Sequence, residues 1–229
     1  VKDFLINNGV IIVMFILVIY TGFTSDNFFT KNNFMNILMN MSSRLVIALG
    51  IAGCVITAGC DLSAGRMIGF GACISGMLLQ RMDYSGKFFP DMQPLNVFVV
   101  ALIAMLVCAA FGTVTGFFIA YLNVPPFIAT LAMMEIVYGI GLIVTNATPL
   151  GGYVEQYTNV SNGKFLGINY LIWIAIIVAA ITWFIFNMTR HGKYMYAIGG
   201  NPQAAEVAGV PVKATLILIY MKAAAMYGL

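Results

Sequence analysis

In the stretch GCDLSAGRMIG, residues 59–69, one acid and one base stand five positions apart, Asp61 and Arg66. The sequence before them, Leu45 to Cys60, and after them, Met67 to Gln80, carries no charge. Glu135 interrupts another apolar run in the same way. Ionisable groups in such surroundings are costly unless they pair, cap a helix or line a polar path, and the last case marks a route for an ion or a solute. Asp61 has two readings. It sits where a new helix begins, and a carboxylate is favoured at the positive end of a helix, with Arg66 pairing or snorkelling. Alternatively it faces a polar path. Covalent chemistry is poorly supplied. His191 is the only histidine and cannot complete a metal site, and Cys54, Cys60, Cys73 and Cys108 fit no metal spacing. Those cysteines read as small apolar packing residues. No GxxxxGK[ST] loop for nucleotide phosphates occurs.

The elements that must position these groups are apolar throughout. Of 229 residues, 61% are hydrophobic and 8% charged, against about 25% charged in a soluble domain. Seven segments are candidate spans: 4–23, 37–60, 64–80, 97–122, 127–145, 170–188 and 214–229. A crossing of ~30 Å of hydrocarbon takes ~20 helical residues, so 64–80 and 214–229 are short. Barrel strands would alternate polar and apolar positions, which these segments do not. The fold class expected is all-α, a polytopic helical membrane protein with a single transmembrane domain over 1–229. Phe4 to Phe23 reads as an uncleaved first helix, since no small-residue cleavage site follows it. The net charge of +3 is too small and dispersed for nucleic acid. Small residues four apart, Gly65/Gly69 and Gly112/Gly116, predict close helix packing. Asn36, Asn40 and Arg44 share a helix face, expected to look toward neighbouring helices or the mouth of a pore.

The connections give sidedness. Charges cancel in 24–36, 81–96 and 146–169, whereas 189–213 holds Arg190, Lys193 and Lys213 against Glu206 alone. Lys and Arg near span ends mark the cytoplasmic side, which places 190–213, Lys2 and the N-terminus there. The same parity returns the chain to that side at 61–66 and 122–126, where no real loop exists. Non-helical backbone at membrane depth survives only inside protein or beside water.

Residues 197–212, AIGGNPQAAEVAGVPV, hold a short helix. Asn201 is a good N-cap, Pro202 fits the first helical position and Gly209 supplies a stop. Between them 202–208 carries Gln203, Ala204, Ala205, Glu206 and Ala208. So short a helix is marginal alone in water. It is either a plain connector or an element docked in a partner's groove.

AGCDLSAGRMIG, AYLNVPPFIATLAMMEIVYGIG and YAIGGNPQAAEVAGVPV resemble, in order and spacing, the permease subunits of bacterial sugar-importing ABC transporters of the ribose, xylose and galactose type. DLSAGR and KFFPDM (87–92) point to the galactose and methyl-galactoside branch more than to the ribose branch. The resemblance implies a type II-like importer permease in the inner membrane. It implies a pore of two permease copies, a separate ATPase chain that holds ATP and Mg, and a periplasmic sugar-binding protein. No cofactor belongs on this chain, and it is not an enzyme. Helix 202–208 with Asn201 and Gly209 would couple to the ATPase. Asp61, Leu62, Ser63, Gly65 and Arg66 would lie along the translocation path. The family chain continues beyond residue 229, so a truncated C-terminus is expected. Glu135 and Lys222 depart from the family pattern. Lys222 is assigned no role; the alternative is a proton-coupled secondary transporter that uses Asp61 or Glu135 with the broken helices of such proteins.

Overall fold

A computed structural model describes residues 8–25 and 27–229. Lys2, Asp26 and the start of the first span at Phe4 lie outside the described residues. Chain order is α1 (Gly9–Thr24), α2 (Lys31–Ile56), α3 (Ala64–Leu78), α4 (Val97–Tyr121), α5 (Pro126–Val144) and α6 (Glu155–Asn162). A two-residue hairpin follows, β1 (Lys164–Phe165) and β2 (Ile168–Asn169), then α7 (Tyr170–Met188), α8 (Arg190–Gly200), α9 (Pro202–Val207) and α10 (Val212–Tyr227). The described residues up to Met41 form one compact unit and Ser42–Leu229 a second, with the division inside α2.

Among the described residues four helices are long and apolar enough to cross a membrane: α2, α4, α5 and α7. The expected count of seven is therefore reached only if the shorter apolar helices cross as well. α1 and α3 are apolar but have 16 and 15 residues. α10 has 16 and carries two lysines. Large apolar side chains line the outside of the long helices, among them Phe98, Leu106, Ile143 and Ile177, as they must where the solvent is lipid.

Several elements differ from the sequence reading for local reasons. α2 starts at Lys31 and stops at Ile56, so the break before α3 is longer than expected and covers 57–63. The segment 189–213, read as a loop with one short helix, holds two. α8 buries Gly192, Met195 and Ile198 at near-helical spacing, and Thr189 caps it by accepting from the Gly192 N–H at 3.3 Å. The face of Asn36, Asn40 and Arg44 is exposed. The Asn40 amide bonds back to the Asn36 carbonyl at 3.0 Å.

The core of the second unit lies where α10 crosses α4. Gly112 and Gly116 let α4 approach the α10 backbone. A Cβ at 112 would lie 2.5 Å from the Ala224 methyl, and one at 116 would lie 2.7 Å from the Ile217 Cα. The other small pair behaves oppositely. Gly65 and Gly69 on α3 are exposed, with nothing within 4 Å of a Cβ at either. Their expected close packing does not occur within this chain. Around the α4–α10 crossing lie Cys54, Met67, Ala104, Cys108, Val137 and Tyr220, all buried.

The two ends of the unit are held together differently. At one end the chain after α3 meets the chain after α5. Arg81 donates to the Gly152 carbonyl at 2.8 Å, Val154 to that of Leu79 at 2.9 Å, and Gln80 Nε2 to that of Gly151 at 3.0 Å. At the other end Ile56 abuts Gly199, and Gly59 lies beside Pro126. The chain thus brings 81–96 together with 146–169 at one end, and gathers the two tight joins with Gly199 of α8 at the other.

Candidate functional site

The break 57–63 is partly enclosed: Asp61 and Ser63 are buried, whereas Ala58 and Leu62 are exposed. α5 begins at Pro126 beside Gly59, and farther along Arg66 covers Tyr138, Phe70 lies beside Gly141 and Leu150 packs at Gly76. Tyr138 is twelve residues past Pro126, about 18 Å along the helix at 1.5 Å per residue. α3 therefore starts well inside the span of α5, and non-helical backbone fills the stretch between, with a turn at Thr57–Ala58. That is why α3 is short.

Asp61 organises the break. Its Oδ1 accepts from the Ser63 N–H at 3.0 Å and from the Ser63 hydroxyl at 2.6 Å, and its Oδ2 accepts from the Tyr227 hydroxyl at 3.0 Å. The residue is 8% exposed. Hydrogen bonds to a carboxylate are roughly twice as strong as neutral ones, and three of them answer the cost of burying the charge. Of the two partners expected for Asp61, the backbone N–H at the helix start is present and Arg66 is not. Ser63 does not donate to or accept from freed helix ends through its side chain; its hydroxyl is spent on Asp61. Tyr220, on the same face of α10 as Tyr227, donates to the Cys60 carbonyl at 3.3 Å.

Arg66 points elsewhere. Its guanidinium sits 3.9 Å above the centre of the Tyr138 ring, an attractive cation–π arrangement. Gly65, Arg66 and Gly69 form an open face of α3 and Leu62 is exposed just before it, while Asp61 and Ser63 are buried. The five residues expected on a path therefore divide into an exposed set and a supporting set. Glu135 is exposed on α5, one turn before Tyr138.

The second candidate region is α9. The Asn201 side chain accepts from the Ala204 N–H at 2.9 Å, and Pro202 occupies the first position. At the far end Gly209 N–H donates to Glu206 and Val210 N–H to Ala205, both at 3.0 Å. That pattern is a Schellman motif, and it requires the left-handed φ of +83° found at Gly209. Both ends are capped by local sequence, so six residues hold a helix. Ala205 is 4% exposed and packs inside the chain, which removes it from any docking surface. Pro202, Gln203, Ala204, Glu206 and Ala208 are exposed. Val207, which the composition of the stretch did not single out, is 91% exposed.

His191 is half-buried beside Lys222, Thr182 and Phe186. Burial first, and then the Lys222 charge, hold its pKa down at about 4. Lys222 lines the same small cavity. Cys54 and Cys108 are fully buried packing groups, and all four cysteines are free thiols. Among the described residues no three His, Cys, Asp or Glu side chains converge as a metal site would need.

A family model described as the permease component of a branched-chain amino acid transport system matches residues 33–229. The chain belongs to this permease family. It is 40% identical over 231 residues to the galactose/methyl galactoside import permease protein MglC of Escherichia coli (strain K12), covering 98% of this chain and 69% of that one. Its identity to the Haemophilus influenzae protein of the same name is 41%, with the same coverage. The ribose import permease protein RbsC of Escherichia coli (strain K12) is 31% identical, over 96% of this chain and 66% of that one. No solved structure matches. A permease component moves its substrate without transforming it, so the chain is a transporter subunit and not an enzyme. The proton-coupled alternative is not favoured, and both Asp61 oxygens are already engaged.

Proposed function

We propose that this chain is the pore subunit of an ATP-driven importer that carries a monosaccharide of the galactose type across a bacterial inner membrane. The observation that carries the reading is the 40% identity to a galactose/methyl galactoside import permease along 98% of the chain. In this reading α1, α3 and α10 cross with the four long helices, giving seven spans in one permease domain. The N-terminus and 190–213 face the cytoplasm, and two copies enclose the path. ATP and Mg bind a separate ATPase chain, and a periplasmic protein delivers the sugar.

The geometry suits alternating access. In this reading Leu62, Gly65 and Arg66 line the path, with Asp61 and Ser63 behind them; what supports it is that the first three are exposed while Asp61 and Ser63 are buried and bonded to each other. Helix α9, rigidly capped and exposed at the end where Ile56, Pro126 and Gly199 gather, is the coupling element for the ATPase. The test is reconstitution of the permease with its ATPase and binding protein in liposomes. ATP-dependent uptake of galactose supports the reading. Galactose uptake by the permease alone, driven by a proton gradient, refutes it.

A further inference from the structure

We infer that Arg66, Tyr138 and Glu135 form a hydroxyl-recognition site for the sugar halfway across the membrane, an inference that rests on the permease reading above. Glu135 is the tenth residue of the 19-residue α5. Among the described residues it makes no hydrogen bond and no ion pair, and it is exposed. A charge in that position facing acyl chains is costly. Its face therefore turns to water or to another polar body.

The residues beside it define that body. Tyr138 lies one turn on, where i and i+3 side chains share a face with Cβ atoms about 5–6 Å apart. The Arg66 guanidinium covers the Tyr138 ring at 3.9 Å, which fixes its plane while leaving its N–H donors without a carboxylate. Gly65 and Gly69 flank Arg66 with open space above them. One turn of two helices thus offers fixed donors from Arg66, acceptors from Glu135 and a phenol that serves as both. An anion would meet the Glu135 charge and a cation the Arg66 charge. A neutral ligand with adjacent hydroxyls satisfies both at once, since each hydroxyl donates to the carboxylate or accepts from the guanidinium.

The experiment uses the complete transporter, permease with ATPase and binding protein, in liposomes at saturating liganded binding protein. Uptake of galactose is compared with that of its single-deoxy analogues, for wild type, Glu135→Leu, Glu135→Gln and Arg66→Gln. Gel filtration and ATPase co-purification establish that each variant assembles. The expected result is that one deoxy analogue is transported about ten-fold more slowly than galactose by wild type, the loss of a hydrogen bond to a charged group. Glu135→Leu is slowed by a similar factor on galactose and no longer distinguishes that analogue. Variants that assemble and keep the wild-type discrimination overturn the inference alone. Variants that fall apart into single copies also overturn it, because the pair then belongs to the interface between permeases. Wild type that takes up no galactose with ATP removes the permease reading itself.

Discussion

Replacing Gly112 by alanine tests whether the α4–α10 crossing carries the fold. The added methyl would stand 2.5 Å from the Ala224 methyl and closer still to the Tyr220 carbonyl. Ordinary contact begins at 3.4 Å, so the helices must separate by about 1 Å or rotate. Backbone on a helix cannot yield the way a side-chain end can. A gap of 0.5–1 Å forfeits roughly a quarter to a half of each dispersion well along the interface. Overpacking of this kind costs about 1–3 kcal/mol. The same separation moves Tyr220 and Tyr227 away from Cys60 and Asp61, so the loss extends to the break. The assay is the temperature at which the detergent-solubilised permease loses its monodisperse gel-filtration peak, expected to fall by several degrees. Gly69→Ala is the control. Nothing lies within 4 Å of its new methyl, and mid-helix alanine is better than glycine by up to about 1 kcal/mol. Equal melting of Gly112→Ala and wild type would sink the argument that glycine is required for this approach.

Asp61→Ala leaves the Tyr227 hydroxyl and the Ser63 N–H without their partner and should cost more than Tyr227→Phe, which removes one bond of about 1–3 kcal/mol; melting of the two variants in the order stated is the check. Val207→Arg or Ala204→Arg on α9 should abolish ATP-driven uptake without altering melting, whereas Ala205→Arg should lower melting by about 1–3 kcal/mol because its site is closed. Normal uptake by Val207→Arg would make α9 a plain connector. A cysteine at Gln203 should react with impermeant reagents from the cytoplasmic side only, and labelling from outside sealed cells would reverse the sidedness. For His191 the folded pKa of about 4 lies below the usual 6.5. The unfolded chain binds more protons between those values, so stability falls as pH drops from about 6.5 towards 4 and is unaffected above that window. His191→Gln should melt with a flatter profile across pH 5–7, and an unchanged profile would contradict the burial of the imidazole.

Much of the fold was legible because lipid-facing helices advertise themselves by unbroken apolar runs, and α4, α5 and α7 lie within a few residues of where those runs predicted. The caps of α9 were legible because Asn, Pro and Gly act locally. What escaped were groups whose meaning depends on partners far along the chain. Tyr220 and Tyr227 are spaced seven apart on one helix face, a periodicity that could have been seen. Their partners, Cys60 and Asp61, could not be seen without the fold. Arg66 invited pairing with Asp61 because the two are near in sequence, yet a turn into α3 sends one inward and the other onto Tyr138. Ala205 shows the limit of small-residue reasoning. Small side chains permit close packing, but composition does not say whether the neighbour is a partner protein or the chain itself.

The bond from Tyr227 to Asp61 spans 166 residues, and that separation sets a schedule for biogenesis. Ribosomes add about 5–20 residues per second, so some 8–33 s pass between the emergence of the carboxylate and that of the phenol that completes its shell. During that interval the polar segment 57–63 has left the ribosome without the helix that shields it. Until then Ser63 is the one side chain that answers the Asp61 carboxylate, although α4 and α5, which α3 packs against, have already emerged. An early segment is thus completed by the last described helix.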